Sequence, residues 1–311
     1  MHGSRFGVAY GVAAYGLWGL VPLFWAHLEQ AGEIEILAHR IAWSLVFVAA
    51  VLAAGRGFAR LRRLGGRAYA LLAGAALVVS LNWGTYIWAV VNGHVVEASL
   101  GYFINPLVTV LIGVIVLAER LRPAQWAAVG IAAAAVAVLT VDYGRPPWIA
   151  LTLAFSFATY GLIKKKADVG PVHSLAVETA VLALPAVGFL VVLDFAGEGA
   201  FGRAGVGTSL LLAAAGLVTA VPLLFFGAAA IRIPLSTLGL LQYLTPITQF
   251  ALGVLVFREA VPPVRLVGFS LVWLALAVLT AEMLAHRRRL IRAAAGQAVQ
   301  PATAGSGRLR T

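Results

Sequence analysis

The sequence predicts an all-α membrane protein of ten transmembrane helices, arranged as two inverted five-helix repeats. Three observations predict it. Of 311 residues, 61% are hydrophobic and only 11% are charged, whereas a soluble domain carries about 25% charged residues and cannot hide so much apolar surface from water. Ten apolar runs follow one another along the chain. The second half repeats residues of the first at a near-constant offset. The runs lack the two-residue alternation of a membrane β-barrel.

A spanning helix needs about 20 mostly apolar residues to cross a core of roughly 30 Å. The runs of the first half cover residues 6–26, 34–54, 69–91, 98–118 and 124–141. Those of the second cover 147–163, 174–193, 208–230, 235–257 and 264–285. Short connections rich in Gly, Pro and charge separate them, as expected of hairpin-linked helices. The first run is longer than a signal-peptide core, lacks a small-x-small cleavage site and contains Trp18, Pro22 and Trp25. It reads as a retained helix. Two repeats are therefore expected at 5–141 and 147–285. A basic segment, 286–311, opens on His286, Arg287, Arg288, Arg289 and Arg292 and reads by composition as a disordered tail.

Orientation follows from the lysines and arginines, which accumulate on the cytoplasmic side. With both termini inside, 18 of the 23 basic residues fall on that side. Only Arg40, Arg145, Arg203, Arg258 and Arg265 fall on the other. Adding or removing one helix scrambles this asymmetry. The expected location is the inner (cytoplasmic) membrane of a cell, multi-pass, with N and C termini cytoplasmic. The same asymmetry explains the net charge of +11, so no nucleic-acid partner is expected.

The internal repeat has an offset of 140 residues. Pro106, Gly113, Val116, Glu119 and Pro123 match Pro246, Gly253, Val256, Glu259 and Pro263, and the run Ala137 to Thr140 matches Ala277 to Thr280. Tyr15-Gly16-Leu17 matches Tyr160-Gly161-Leu162 at an offset of 145. Five helices per unit is an odd number, so the second unit enters the membrane upside down. Inverted repeats of this kind characterise secondary transporters, whose halves exchange conformations to open one side and then the other.

The repeat relates two polar stripes. Tyr102, Asn105 and Thr109 fall at i, i+3 and i+7 on one helix face, and their counterparts are Gln242, Thr245 and Gln249. Polar groups facing lipid are costly, so both stripes are expected to point into the bundle. Pro106 and Pro246 free the carbonyls of Tyr102 and Gln242 on the same stripes. A substrate path and interhelical glue both remain open for these residues. Asn82 and Tyr86 share a face of the third helix; Tyr15 and Trp18 lie deep in the first. Trp25 and Trp88, at the ends of spans, read as interfacial anchors. Gly7 and Gly11 form a GxxxG spacing that reads as close packing.

Ionisable residues inside spans point most directly to function. They are His39 and Arg40 in the second helix, Glu178 in the seventh, and Glu97 at the mouth of the fourth. Arg40 and Glu178 correspond through the repeat but enter from opposite faces, so a charge at each end of a polar cavity is expected rather than a direct pair. Snorkelling to the headgroups is the other reading of Arg40. Glu178 has Lys164 or Lys165 within reach and is expected to respond to a proton or cation.

Several chemistries are excluded at the level of motifs. The chain has no cysteine, hence no disulfide, thiolate metal site or cysteine nucleophile. Its six histidines form no HExxH pair. Phosphate-binding loops, GxSxG elbows and GxGD pairs are missing, so no cofactor, metal or enzymatic activity is expected, and no ATP-driven pump on this chain alone.

Two stretches, 97–107 (EASLGYFINPL) and 36–44 (ILAHRIAWS), closely resemble the RarD group of EamA-domain transporters in the drug/metabolite transporter superfamily. Asn82-Trp83, 87–90 (IWAV), 154–158 (AFSFA), Tyr160-Gly161-Leu162 and 236–239 (STLG) add to the match. The resemblance covers residues 5–285. It implies a ten-helix fold of two EamA halves in the bacterial cytoplasmic membrane, around a central cavity. The expected function is secondary transport or export of small organic solutes such as metabolites, amino acids or drug-like compounds. The expected partners are the small-molecule substrate, membrane lipid and a coupling proton. The alternatives are a passive facilitator of the same fold and an intramembrane enzyme or lipid-processing protein. The enzyme reading requires His39, Glu97 and Glu178 to converge in one pocket.

Overall fold

The computed structural model describes residues 2–55, 57–117, 121–230, 232 and 241–298. The described residues form ten helices of twelve residues or more. In chain order, α1 is His2–Trp25, α2 Glu33–Ala54, α3 Gly66–Val91, α4 Val95–Leu117 and α5 Pro123–Tyr143. They are followed by α6 Trp148–Ala167, α7 Pro171–Ala196, α8 Val206–Ala230, α9 Leu244–Leu255 and α10 Pro263–Ala298. A 3-10 turn, Ala26–Leu28, and a single helical turn, Phe58–Leu61, sit in the connections. Among the described residues seven helices are long and apolar enough to cross a membrane, and the chain is a multi-pass, all-α membrane protein.

Local chemistry sets the helix ends. Pro123 and Pro171 open α5 and α7 where the first turn has no use for an N–H. Before α5, the Gln125 carboxamide oxygen accepts the Arg122 N–H at 2.9 Å. Gly144 closes α5 in the left-handed region, at φ 64°, which an L side chain adopts only with strain. Helix α10 does not stop near residue 285. It runs on to Ala298, through the first half of the segment that composition reads as disordered. Arg and Ala are strong helix formers, and Arg292 to Ala295 supply four in a row. Residues 299–311 lie outside the described residues, as does Glu119 of the repeat.

The helices pack in a particular set of pairs. Helix α5 lies along α10, and α4 along both α6 and α9. Helix α3 lies along α6 and α7, α2 along α7 and α8, and α1 along α8 and α9. Small residues permit the closest approaches. A Cβ on Gly216 of α8 would stand 2.4 Å from the Trp43 carbonyl carbon of α2. One on Gly101 of α4 would stand 2.8 Å from the Ala150 carbonyl oxygen of α6. One core cluster joins α4, α5, α6 and α10 around Leu100, Leu139 and Phe269, and a second joins α1, α2, α3 and α8 around Trp25, Ile36 and Leu212.

Candidate functional site: a central aromatic cavity

Between the helices lies a cavity of about 430 Å³. Helices α1, α2, α3, α4, α6, α7 and α8 line it, with α9 and the turn leading into it; α5 and α10 contribute no lining residue among those described. The walls are mainly aliphatic and aromatic, with few polar groups, rather than the polar lining expected from the stripes. Those few groups are arranged in three sets.

The first set joins α9 to α1 and α3. Thr245 Oγ1 donates to the Tyr15 carbonyl at 2.8 Å. Gln249 Nε2 donates to the Tyr86 hydroxyl at 2.9 Å and to the Trp18 carbonyl at 3.1 Å. The second bond has a cause in the sequence. Pro22 lacks an N–H and so leaves the Trp18 carbonyl, four residues earlier, without its helical partner. Gln249 replaces that donor. Gln242 also lines the cavity. Tyr102 reaches the cavity from α4 and meets Tyr86 edge to face, ring centres 5.7 Å apart.

The second set is an ion pair. Lys164 Nζ on α6 lies 2.8 Å from Glu178 Oε1 on α7, and the Tyr160 hydroxyl donates to Glu178 Oε2 at 2.9 Å. Lys164 also reaches the Ser174 hydroxyl. Lys164 and Tyr160 line the cavity, whereas Glu178 lies behind them, 1% exposed. Nearby, Asn82 Nδ2 donates to the Leu153 carbonyl at 3.0 Å and to the Ser156 hydroxyl at 2.9 Å, tying α3 to α6.

The third set surrounds Arg40. Its guanidinium carbon lies 4.2 Å from the centre of the Trp83 ring and 5.4 Å from that of Trp25. Snorkelling is thereby excluded, since Arg40 is 8% exposed and faces the cavity. Trp25 is not an interfacial anchor either: it is fully buried and lines the same cavity. Both tryptophans escaped sequence reasoning as site residues. An arginine two turns inside a span, with no acid at helical spacing, was the available signal that aromatic faces had to meet it.

Other candidates lie outside the lining. His39 stacks on Phe201, ring centres 4.8 Å apart, with Nε2 3.9 Å from Glu35. Glu35 itself accepts the N–H groups of Ala200 and Phe201 in the loop before α8. Glu97 pairs with Arg145 at 2.9 Å and accepts the Ile149 N–H at 3.2 Å, so it clamps the start of α6. Asn105 is buried off the lining. Thr109 is exposed and returns its hydroxyl to the Asn105 carbonyl at 2.9 Å, which lets it face an apolar surrounding. His39, Glu97 and Glu178 thus hold three different sets of partners and do not converge.

At the ends of the bundle, carboxylates hold backbone and arginines. Glu259 accepts the Val95 N–H at 2.6 Å and the Val96 N–H at 2.9 Å, at the start of α4. Burial pushes its carboxyl above the usual range, against the opposing effect of the Val96 and Val95 N–H groups. Asp142 at the end of α5 accepts from Arg265 Nε at 2.8 Å, and Glu282 on α10 pairs with Arg122.

Similarity to known proteins makes this multi-pass helical bundle a membrane transporter of the drug/metabolite superfamily. The pattern of the EamA-like transporter family matches residues 5–141. Protein RarD of Streptomyces exfoliatus is 62% identical over 288 residues, which cover 92% of this chain and 91% of that protein. The uncharacterized transporter YojE of Bacillus subtilis is 42% identical over 92% of this chain and 97% of its own length. The chain belongs to the RarD-type EamA transporters. A solved crystal structure at 22% identity shares the fold, with a TM-score of 0.55 over 88% of this chain and 96% of that one.

Proposed function

We propose that the chain is a secondary transporter of small organic solutes, in which two inverted five-helix halves alternate access to the central cavity across the cytoplasmic membrane. The observation that carries this reading is the composition of the cavity wall. Its lining comes from α1 to α4 and from their counterparts α6 to α9. A solute held there touches both halves, and movement of one half against the other changes which side it can leave by.

Pairwise packing supports the repeat. Exchanging each helix with the one five places along leaves the pairs α5–α10, α4–α9 and α2–α7 unchanged, and turns α4–α6 into α9–α1, α3–α6 into α8–α1 and α2–α8 into α7–α3. Ion pairs follow the same operation. Asp142 and Glu282, 140 residues apart, each hold an arginine near the start of the partner helix of the α5–α10 pair. Names carried by relatives, RarD and transporter, agree with this reading rather than with an enzyme.

Two experiments test it. Reporters fused after Arg67 and after Lys166 should report the same side of the membrane; opposite sides overturn the inverted arrangement. Purified protein in proteoliposomes, offered amino acids and amphenicols with and without a proton gradient, should accumulate a solute against its gradient. Equilibration alone would make the protein a passive facilitator, and no flux of any solute would overturn the transport reading.

A further inference from the structure

We infer that Arg40, Trp25 and Trp83 form the recognition site for the carboxylate of a small aromatic monocarboxylate. This deepens the transport reading and rests on the same cavity. Among the described residues two cations line that cavity, Arg40 and Lys164. Lys164 is matched by Glu178 at 2.8 Å. Arg40 forms no ion pair among the described residues, and its Nε is buried without a hydrogen-bond partner. Among the described residues no carboxylate belongs to the lining. The cavity therefore carries one uncompensated positive charge.

A buried charge left unpaired is strongly unfavourable, and a guanidinium is too basic to escape by losing its proton. The faces of Trp83 and Trp25 compensate part of that charge. The N–H donors of a guanidinium form a fork that fits a planar carboxylate with two parallel hydrogen bonds. One unmatched cation suits a monoanion. A zwitterionic amino acid fits less well, since its ammonium meets no free carboxylate on the wall. The body of the ligand is set by the remaining lining. Tyr15, Trp18, Phe157 and Phe226 offer ring faces and edges to an aromatic group.

Full-length protein in detergent, titrated with 3-phenylpropionate, its neutral amide and L-phenylalanine, tests the site by calorimetry and by quenching of tryptophan fluorescence. The acid should bind at least tenfold more tightly than the amide and than phenylalanine. Arg40→Gln should erase the preference for acid over amide while leaving amide binding within about threefold. Equal binding of acid and amide by the unaltered protein overturns the inference, as does tighter binding of phenylalanine, an Arg40→Gln protein that keeps the preference, or no binding of any of the three. The comparison of ligands on the unaltered protein stands even where Arg40→Gln fails to fold. Because the readout is binding, acid recognition without flux in proteoliposomes would refute transport and leave this site in place, and flux of neutral solutes alone would do the reverse.

Discussion

Arg265, in the first turn of α10, donates through Nε to Asp142 at 2.8 Å across the α5–α10 pair. Asp142 is the buried partner, its side chain 8% exposed. The Tyr143 ring lies 4.2 Å from the same guanidinium. Asp142→Asn leaves the arginine facing an amide and should cost about 1–3 kcal/mol, the usual loss when a buried charge-assisted bond is broken. Thermal unfolding in detergent reads this as a lower midpoint. Exchanging the partners, Asp142→Arg with Arg265→Asp, should recover more than half of the loss. A double variant no better than the sum of its parts would mean the two residues do not interact.

Much of this fold was legible because a bilayer enforces helix length and apolarity directly. The helix ends at Pro123, Gly144 and Val91 follow from proline, glycine and loop chemistry, and fall within three residues of the boundaries read from the sequence. The site was legible only in part. Periodicity tells which residues share a helix face but not which neighbour that face meets. Gln249 meets α1 because Pro22 has left the Trp18 carbonyl open there, Thr245 bonds the Tyr15 carbonyl on the same helix, and both line the cavity. Their counterparts Thr109 and Asn105 have no such partner on α6 and stay off the lining. Trp25 was misplaced for a related reason. Position at a span end suggests a headgroup anchor, but the indole is fully buried and lies 5.4 Å from the Arg40 guanidinium of α2.

Lys164 and Glu178 form the ion pair of the cavity wall, with Tyr160 completing the carboxylate's partners. Glu178→Gln leaves the ammonium without a counter-charge and adds a second unmatched cation to the lining. Uptake in proteoliposomes should fall at least tenfold, and its dependence on the proton gradient should flatten. Adding Lys164→Met removes the orphaned charge and should restore folding yield, because an unpaired buried ion, at about 3–5 kcal/mol, costs more than an absent pair. Uptake and pH profile unchanged in Glu178→Gln would rule out a proton-responsive role.

Gly216 and Gly130 make a matched test of helix packing. A Cβ at Gly216 would lie within 2.4–2.7 Å of Trp43 and Ser44 atoms, two of them backbone, so α8 and α2 must separate. At Gly130 nothing lies within 4 Å. Gly216→Ala should therefore destabilise by about 1–3 kcal/mol, as overpacking does. Gly130→Ala should be neutral or gain up to about 1 kcal/mol from helix propensity. Thermal midpoints that move alike in both variants would show that close approach is not what Gly216 provides.

Glu259 holds the start of α4 through the N–H groups of Val95 and Val96. Those groups have no partner within the first turn, so their acceptor must come from elsewhere in the chain. Glu259→Ala removes it and should cost about 1–3 kcal/mol, with Glu259→Gln losing less because its carbonyl oxygen still accepts one bond. The pH dependence has a definite sign. Burial places the folded-state pKa of this carboxyl above its unfolded value. Such a group adds stability below the unfolded pKa and loses that contribution as the pH rises through the folded one. Between about pH 4 and pH 7 the unaltered protein should lose more of its thermal midpoint than Glu259→Gln, which has no proton to release over that range. A steeper decline in Glu259→Gln than in the unaltered protein would place the folded pKa below the unfolded one, with the two N–H bonds rather than burial in control.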